Sequence, residues 1–366
     1  MGERILHLRE YLKSLGSEVY PYGNASHAFH DILKYLNNGS SGTLPNVVMP
    51  TFIPAKLYRA TAAAGYEPKF YEILEGCKFN AGEIEDLVDD NTTAIFGIHY
   101  FGHPANMEQL REIADRKKVS LIEDCAHVLL GTVDGKPMGT FGDFAIFSPR
   151  KMMQLPNGGF LLSKKRLEKF VPSYRDRARM SRSFTKYVNS RFKHLYFKIL
   201  SGSDPFHIVR PPKVGYFDPN RESTLYVKKM SFVTLLYDGI VNIRRNSKVR
   251  KENYCRLFEA LMGLESLKPL YEDLPDEWEP YSFPMIIHLG ERGKLLRMLL
   301  DRGISCGLGW PESPFENRFS RTKELSRCLI ELPVHPLVLE TQLDRIVQTC
   351  REYEKKCVES LAKVNN

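Results

Sequence analysis

The chain has 366 residues, 43% of them hydrophobic and 26% charged, with a formal net charge of +8. That balance excludes wholesale disorder, and the length allows a large core divided between two domains. No apolar run approaches the roughly 18 residues of a membrane span, and MGERILHLREYLKS is too charged for a secretory signal. The seven cysteines are scattered and lack CxxC spacing, which points to reduced thiols in a cytoplasmic protein, with neither a disulfide framework nor a zinc site. The basicity is local. Residues 164–198 carry twelve Lys/Arg against Glu168 and Asp176, so the rest of the chain is close to −2. No helix-turn-helix, zinc-finger or RNA-binding signature accompanies that segment, so nucleic acid is not an expected partner.

Residues 3–15 read as a helix with apolar positions 5, 8, 12 and 15 on one side. Gly23 to Ser26 form a small polar turn that opens a helix carrying Phe29, Ile32, Leu33 and Leu36 and stopping at Asn38-Gly39. Such a turn offers free N–H groups to an anion. NVVMP (46–50) is a short buried strand, and residues 55–64 are a helix ended by Gly65. KFYEI, TAIFGIHY (93–100) and VSLIED (119–124) read as strands. Asn106 caps the intervening helix, with Gln109 three residues on. Strand, helix and strand in about 30 residues make a βαβ unit, hence a parallel sheet covered on both faces. FAIF (144–147) and FLLS (160–163) add two strands. The span 201–222 is loop-like, residues 223–262 read as one long or kinked helix, and 281–289 as a strand. Helices follow at 291–301 and 340–360. The domain boundary is expected near 245, giving units of 1–245 and 246–366.

Two strand ends carry chemistry. The run from Val119 ends in Glu123-Asp124, and the run from Phe144 ends in Ser148, with Lys151 following and Gly158-Gly159 beyond it. Open α/β sheets bind ligands at such carboxyl ends. Singly, Lys151 reads as a solvated loop lysine, Asp124 as a helix cap and His127 as a core histidine. Together, a lysine facing a carboxylate from a neighbouring strand is what pyridoxal phosphate needs: an amine to bond it and an acid to hold its ring nitrogen protonated.

The blocks IFGIHYFGHPANMEQLREIADRKKVSLIEDCAH and GTFGDFAIFSPRKMMQLPNGGFLLS resemble the DegT/DnrJ/EryC1/StrS aminotransferases. The resemblance is close over 47–163 and continues weakly to GIS…GW and LPVHP near 303–336. It implies an α/β chain of fold type I, with a mostly parallel central sheet, helices on both faces and a small C-terminal α/β domain. It also implies pyridoxal 5′-phosphate as cofactor. On that resemblance Lys151 is the Schiff-base lysine and proton carrier, Asp124 the partner of the ring nitrogen, and Ala126 the small residue against the ring. His127 stands where the family usually has glutamine near the cofactor's 3-hydroxyl. Ser148 is the phosphate-binding serine, three rather than five residues before the lysine. The family's Ser-Gly-Thr phosphate loop corresponds to Gly23-Asn24-Ala25-Ser26. The ring-stacking aromatic aligns with Pro54, which leaves Phe52 for that role. The Asn-Tyr-Arg-Met-Ser segment that reaches the partner subunit's cofactor becomes Val227-Lys228-Lys229-Met230-Ser231, with Lys229 as the substitute contact. Retention of Lys151 implies amino transfer rather than the sugar dehydration of relatives that lack it.

The expected protein is therefore a homodimeric aminotransferase. It would move an amino group, with glutamate as donor, onto a keto group of a nucleotide-activated sugar or similar polyol. Two alternatives stay open: a pyridoxal phosphate enzyme with a different small-molecule substrate, and a non-catalytic sensor or scaffold of the same fold. No GxGxxG or GxxxxGK[ST] supports nicotinamide or nucleoside triphosphate chemistry. His99 and His103 lack a metal-ligand constellation; His99 reads as a strand-end residue near the site mouth, and Cys125 as a buried small residue. The basic segment 164–198 reads as a solvated face, or as a surface that draws in a polyphosphate substrate or weakly touches an anionic membrane.

Overall fold

The structure is a computed structural model that describes residues 6–37, 43–153, 155, 157–174, 176–177, 227–238, 242–310 and 319–364. The chain opens with α1 (Leu8–Leu15), β1 (Glu18–Tyr22), α2 (Ala25–Leu36), β2 (Asn46–Pro50), α3 (Ala55–Ala63) and β3 (Glu67–Tyr71). It continues through α4 (Ala81–Leu87), β4 (Thr92–Ile98), α5 (Met107–Lys117), β5 (Ser120–Cys125), a small hairpin of β6 (Thr132–Val133) and β7 (Lys136–Pro137), and β8 (Phe144–Phe147). Then come α6 (Pro149–Met153), β9 (Gly159–Ser163), and the paired short strands β10 (Asp176–Arg177) and β11 (Lys228–Lys229).

The main sheet has seven strands in the order β1-β9-β8-β5-β4-β2-β3. Strands β8, β5, β4, β2 and β3 run parallel, while β9 is antiparallel to both β8 and β1. Continuous apolar runs explain the parallel core: every residue of β2, β8 and β9 is buried, as a strand covered on both faces requires. Helix α2 packs on α3 and across β8, β9 and β1, while α5 covers β4 and β5. Asn106 caps α5 by accepting the Gln109 N–H at 3.2 Å, and its side-chain amide donates to the Gln109 side chain at 3.4 Å, a side-chain contact where the expected capping box calls for the Asn106 backbone N–H.

The rest of the chain builds a second layer. It consists of α7 (Phe232–Asp238), α8 (Ile243–Leu261), β12 (Leu267–Pro269), β13 (Phe283–Ile287), α9 (Arg292–Asp301), α10 (Ser320–Cys328), β14 (Leu329–Leu332) and α11 (Glu340–Val364). Strands β12, β13 and β14 form a three-stranded antiparallel sheet against which α8 and α9 pack.

One long helix over 223–262 does not form. Lys228–Lys229 are extended in β11, α7 follows, and α8 begins afresh with Asn242 accepting the N–H groups of Arg244 and Arg245. The reason is local: an asparagine favours capping over helix continuation. Residue 245 falls in the first turn of α8. Residues 1–5, and most of the basic segment with Arg175 and residues 178–198, lie outside the described residues, so the expectations placed there stand apart from this account.

Candidate active site

The carboxyl ends of four parallel strands converge. β2 delivers Phe52, β4 His99, β5 Asp124, and β8 leads through Ser148 directly into α6, which carries Lys151. Pro149 opens α6, where its missing N–H is not needed. A polar surface depression of about 390 Å³ lies at the amino-terminal ends of β4 and β5, among Thr92, Arg111, Val119, Ser120 and Asp143. Its Arg111 guanidinium is taken up by Asp115 and Asp143, so it offers no comparable chemistry.

At the centre, Lys151 Nζ lies 2.8 Å from His127 Nε2. The other ring nitrogen of His127, Nδ1, accepts the Phe101 backbone N–H at 3.1 Å. A neutral imidazole has one N–H, and with Nδ1 accepting, that hydrogen sits on Nε2. The contact to Nζ then requires the lysine nitrogen to be the acceptor, which only a neutral amine can be. Two effects agree with this. Burial, followed by the charge of Lys151, holds His127 well below the usual histidine range. Burial pulls Lys151 down to about 8; Asp124 opposes that drop and Arg150 adds to it. The lysine retains a partly open surface, whereas Asp124 and His127 are each 5% exposed.

Asp124 accepts the Ala126 N–H at 2.8 Å. Burial raises its carboxyl above the usual range, and Lys151 and the Ala126 N–H act against that rise. The His127 ring is flanked by Tyr281, with centroids 4.2 Å apart and planes 8° from parallel, and Trp310 lies 5.8 Å away. His99 is fully buried rather than at the mouth. Its Nδ1 accepts the Ala105 N–H, and its Nε2 meets Glu123 at 3.2 Å, beneath the site. Glu123 also takes the N–H groups of Gly139 and Gly142. His99, Glu123 and Cys125 are close enough to hold a metal ion, but the histidine and carboxylate atoms are already spent on one another and on the backbone.

A second cluster forms at the mouth of α2. Asn24 caps the helix, accepting the His27 N–H at 3.1 Å and the Ser26 hydroxyl at 2.6 Å. The Gly158-Gly159 turn presses against it: Gly158 N–H donates to Gly23 O, and a Cβ on Gly159 would lie 2.3 Å from Asn24 C and 2.4 Å from Ala25 N. Asn157 keeps a buried Nδ2 donor beside this turn with no partner among the described residues. The backbone of Lys228 joins in, accepting from Gly23 N–H and donating to His27 Nδ1 at 3.2 Å.

The structure thus brings Lys151, Asp124, Ala126 and His127 into one neighbourhood at the β5 and β8 ends, with buried Ser148 accepting the Lys151 backbone N–H through its carbonyl. Asn24, Ala25 and Ser26 make the adjoining turn. Phe52 is fully buried, its ring 4.9 Å from Trp310 and 5.6 Å from Tyr100, as part of the aromatic wall. Lys229 is directed elsewhere: its Nζ lies over Tyr174, 5.7 Å from the ring centroid.

Four residues escape sequence reasoning: Arg250, Tyr281, Trp310 and Glu331 all reach the site from the second layer. The part-buried Glu331 accepts the Gly309 N–H and the Ser282 hydroxyl and lies within the electrostatic field of Lys151. These residues are 99 or more positions from Lys151, too far for any spacing pattern. Only the GIS…GW block, which holds Trp310, carried a hint.

The sequence profile of the DegT/DnrJ/EryC1/StrS aminotransferase family matches residues 7–196. The chain is 28% identical over 170 residues to GDP-perosamine synthase of Escherichia coli O157:H7, a match covering 42% of this chain and 46% of that protein. It is 24% identical over 297 residues to dTDP-3-amino-3,4,6-trideoxy-alpha-D-glucose transaminase of Streptomyces venezuelae, covering 75% and 66% respectively. The first match thus spans less than half the length of that relative. In structure, the chain superposes on DesV of S. venezuelae with a TM-score of 0.69 at 19% identity, over 94% of this chain and 87% of that one. Spr1654 of Streptococcus pneumoniae gives 0.71 at 16%, over 97% and 91%. These likenesses establish a shared fold. With the profile extending over more than half of its length, the chain belongs to the DegT/DnrJ/EryC1/StrS aminotransferase family.

Proposed function

We propose that the chain is a pyridoxal phosphate-dependent aminotransferase acting on a keto group of a nucleotide-activated sugar or similar polyol, with glutamate as amino donor. The observation that carries the reading is the Lys151–His127 contact of 2.8 Å, whose bonding pattern calls for a neutral amine, beside the buried carboxylate of Asp124.

The residues fit the cofactor. The steric closeness of Gly159 to Asn24 and Ala25 leaves backbone N–H groups at the α2 mouth for a phosphate, and the Asn157 donor, with no partner among the described residues, lies beside them. When bound, pyridoxal phosphate supplies the ring that stores an electron pair while an amino group is exchanged. Lys151 supplies the amine that bonds it and afterwards carries a proton at Nζ. Asp124 keeps the ring nitrogen protonated, Ala126 leaves room for the ring, and Ser148 with residues 23–26 takes the phosphate. His127 orients Nζ, and the aromatic wall of Phe52, Tyr100 and Trp310 limits water around the amine.

The nucleotide-linked sugars named for the perosamine and trideoxyglucose relatives support the acceptor class. A homodimer is part of the proposal, with Lys229 contacting the neighbouring subunit's cofactor. So is electrostatic attraction of a nucleotide diphosphate by the basic segment 164–198. Among the described residues no helix is long and apolar enough to cross a membrane.

The test begins with absorbance. Purified protein mixed with pyridoxal phosphate should gain a visible band, and glutamate should discharge it. Keto-sugar nucleotides should then restore the band. A protein that binds the cofactor but ignores glutamate and every keto-sugar would overturn the assigned reaction, and a colourless one would leave the scaffold reading.

A further inference from the structure

Arg250 is 1% exposed, one of the largest fully buried side chains in the protein. Among the described residues its guanidinium makes no hydrogen bond to a carboxylate. Nη2 donates to Met152 O at 2.7 Å and approaches Lys151 O at 3.5 Å, Nη1 donates to Tyr281 O at 2.8 Å, and Nε donates to Asn246 Oδ1 at 2.8 Å. Asn246, one turn earlier on α8, adds its own amide to Met152 O at 3.1 Å.

The placement has a physical reason. α6 is five residues long, so the carbonyls at its C-terminal end have no intrahelical partner, and they sit in the interior. An arginine is suited to collect them, because its five donors lie in a rigid plane and its charge cannot be shed. Burying a cation for packing alone is unfavourable, and an apolar side chain would fill the volume at lower cost. The group it grips is also specific. One arm holds the peptide of the lysine helix. The other holds the backbone of Tyr281, whose ring stacks on His127, which in turn contacts Lys151 Nζ. Arg250 therefore closes a circuit that reaches the same amine by two routes.

We propose that Arg250 is a positioning residue for Lys151: carried on α8, it fixes the end of the lysine helix and the Tyr281–His127 stack in one register, keeping the amine enclosed. Asn246 is its auxiliary. The assignment rests on the reading of Lys151 as the reactive lysine, and its test is arranged to fail separately from that reading.

The test uses the full-length protein without cofactor. Lys151 is labelled by an acylating reagent across a pH series and quantified by mass spectrometry, which yields the pH midpoint of the amine itself. Arg250→Lys and Asn246→Ala are compared with the parent, and melting temperatures are recorded in parallel. Loosening the helix end hydrates the amine and moves its midpoint up from about 8 toward the ordinary lysine range. A rise of one pH unit in Arg250→Lys, with about a tenfold lower fraction of neutral amine at pH 7, and a smaller rise in Asn246→Ala, are expected. Midpoints equal to the parent's in both variants, whatever the loss in melting temperature, would show a purely structural arginine and overturn the proposal. Titration with pyridoxal phosphate then separates the two ideas. If the parent protein gains no visible band while the midpoints move, the cofactor reading fails and the positioning role stands.

Discussion

The backbone N–H of Phe101 settles the tautomer of His127, and through it the state of the lysine 2.8 Å beyond. This is a peptide of the short turn after β4 acting on chemistry two side chains away. The expected outcome is a neutral imidazole with its hydrogen on Nε2 at pH values where Lys151 is neutral, because Nδ1 accepts the Phe101 N–H and His127 is held well below the usual histidine value. A ¹⁵N spectrum of the histidines, with His127 assigned by substitution, checks it. A hydrogen on Nδ1 would contradict the bonding pattern.

The lysine itself makes a pH prediction. Its amine is reactive only when neutral, and burial lowers its value to about 8. The rate of band formation with pyridoxal phosphate should climb with pH, reach half its plateau near 8, and be absent in Lys151→Ala. A lysine in ordinary surroundings would still be rising at pH 10.

The same depressed value has a consequence for stability. The unfolded chain binds a proton at Lys151 more tightly than the native chain, so the native state carries the full disadvantage below about 8 and loses it as the pH climbs to the unfolded value. Replacing the lysine with an apolar side chain of similar length removes the disadvantage, at most about 3 kcal/mol at pH 7. It forfeits the His127 bond, about 1 kcal/mol. Lys151→Met should therefore stabilise the empty protein by roughly 2 kcal/mol at pH 7 in denaturant unfolding, with the gain shrinking by pH 10. A variant less stable than the parent at pH 7 would mean the amine is not penalised by its surroundings.

Why so much of this site was legible beforehand can be read from its residues. Asp124, Ser148 and Lys151 each follow an apolar run short enough to be a buried strand, so the pattern that makes the sheet also announces its ends. Gly65 and Asn106 mark their helix ends by backbone chemistry that any sequence must obey. The second layer has no such coupling. β12 is three residues long, α10 hides in a stretch with no apolar stripe of its own, and Arg250, Tyr281 and Glu331 meet Lys151 only through tertiary packing. Long helical propensity over 223–262 also misled, since Asn242 and the extended Lys228–Lys229 pair break it with local hydrogen bonds.

Gly159 is the most exacting position beside the turn at residues 23–26. Its absent Cβ would fall 2.3 Å from Asn24 C and 2.4 Å from Ala25 N, both backbone atoms that cannot swing aside. Gly159→Ala should push the turn away from the strand at a cost of about 1–3 kcal/mol. Affinity for pyridoxal phosphate should fall at least about tenfold, whereas pyridoxal, which lacks the phosphate, should react with Lys151 as before. Equal losses for both compounds would place the damage at the lysine and not at the turn.

Asp124 allows two readouts to be set against each other. As a carboxylate it opposes the fall in the lysine's value, so Asp124→Asn should move the pH midpoint of Lys151 below about 8 and leave more neutral amine at pH 7. The amide oxygen can still accept the Ala126 N–H, so the loop should keep its shape. By the lysine alone, the variant ought to load cofactor more readily at neutral pH. Yet an amide cannot hold a proton on the ring nitrogen, and amino transfer should drop by two to three orders of magnitude, the usual effect of losing one preorganised electrostatic partner. Faster loading with slower turnover is a combination that a merely structural aspartate would not give. If loading and turnover decline together, Asp124 supports the fold of the site and another group serves the ring.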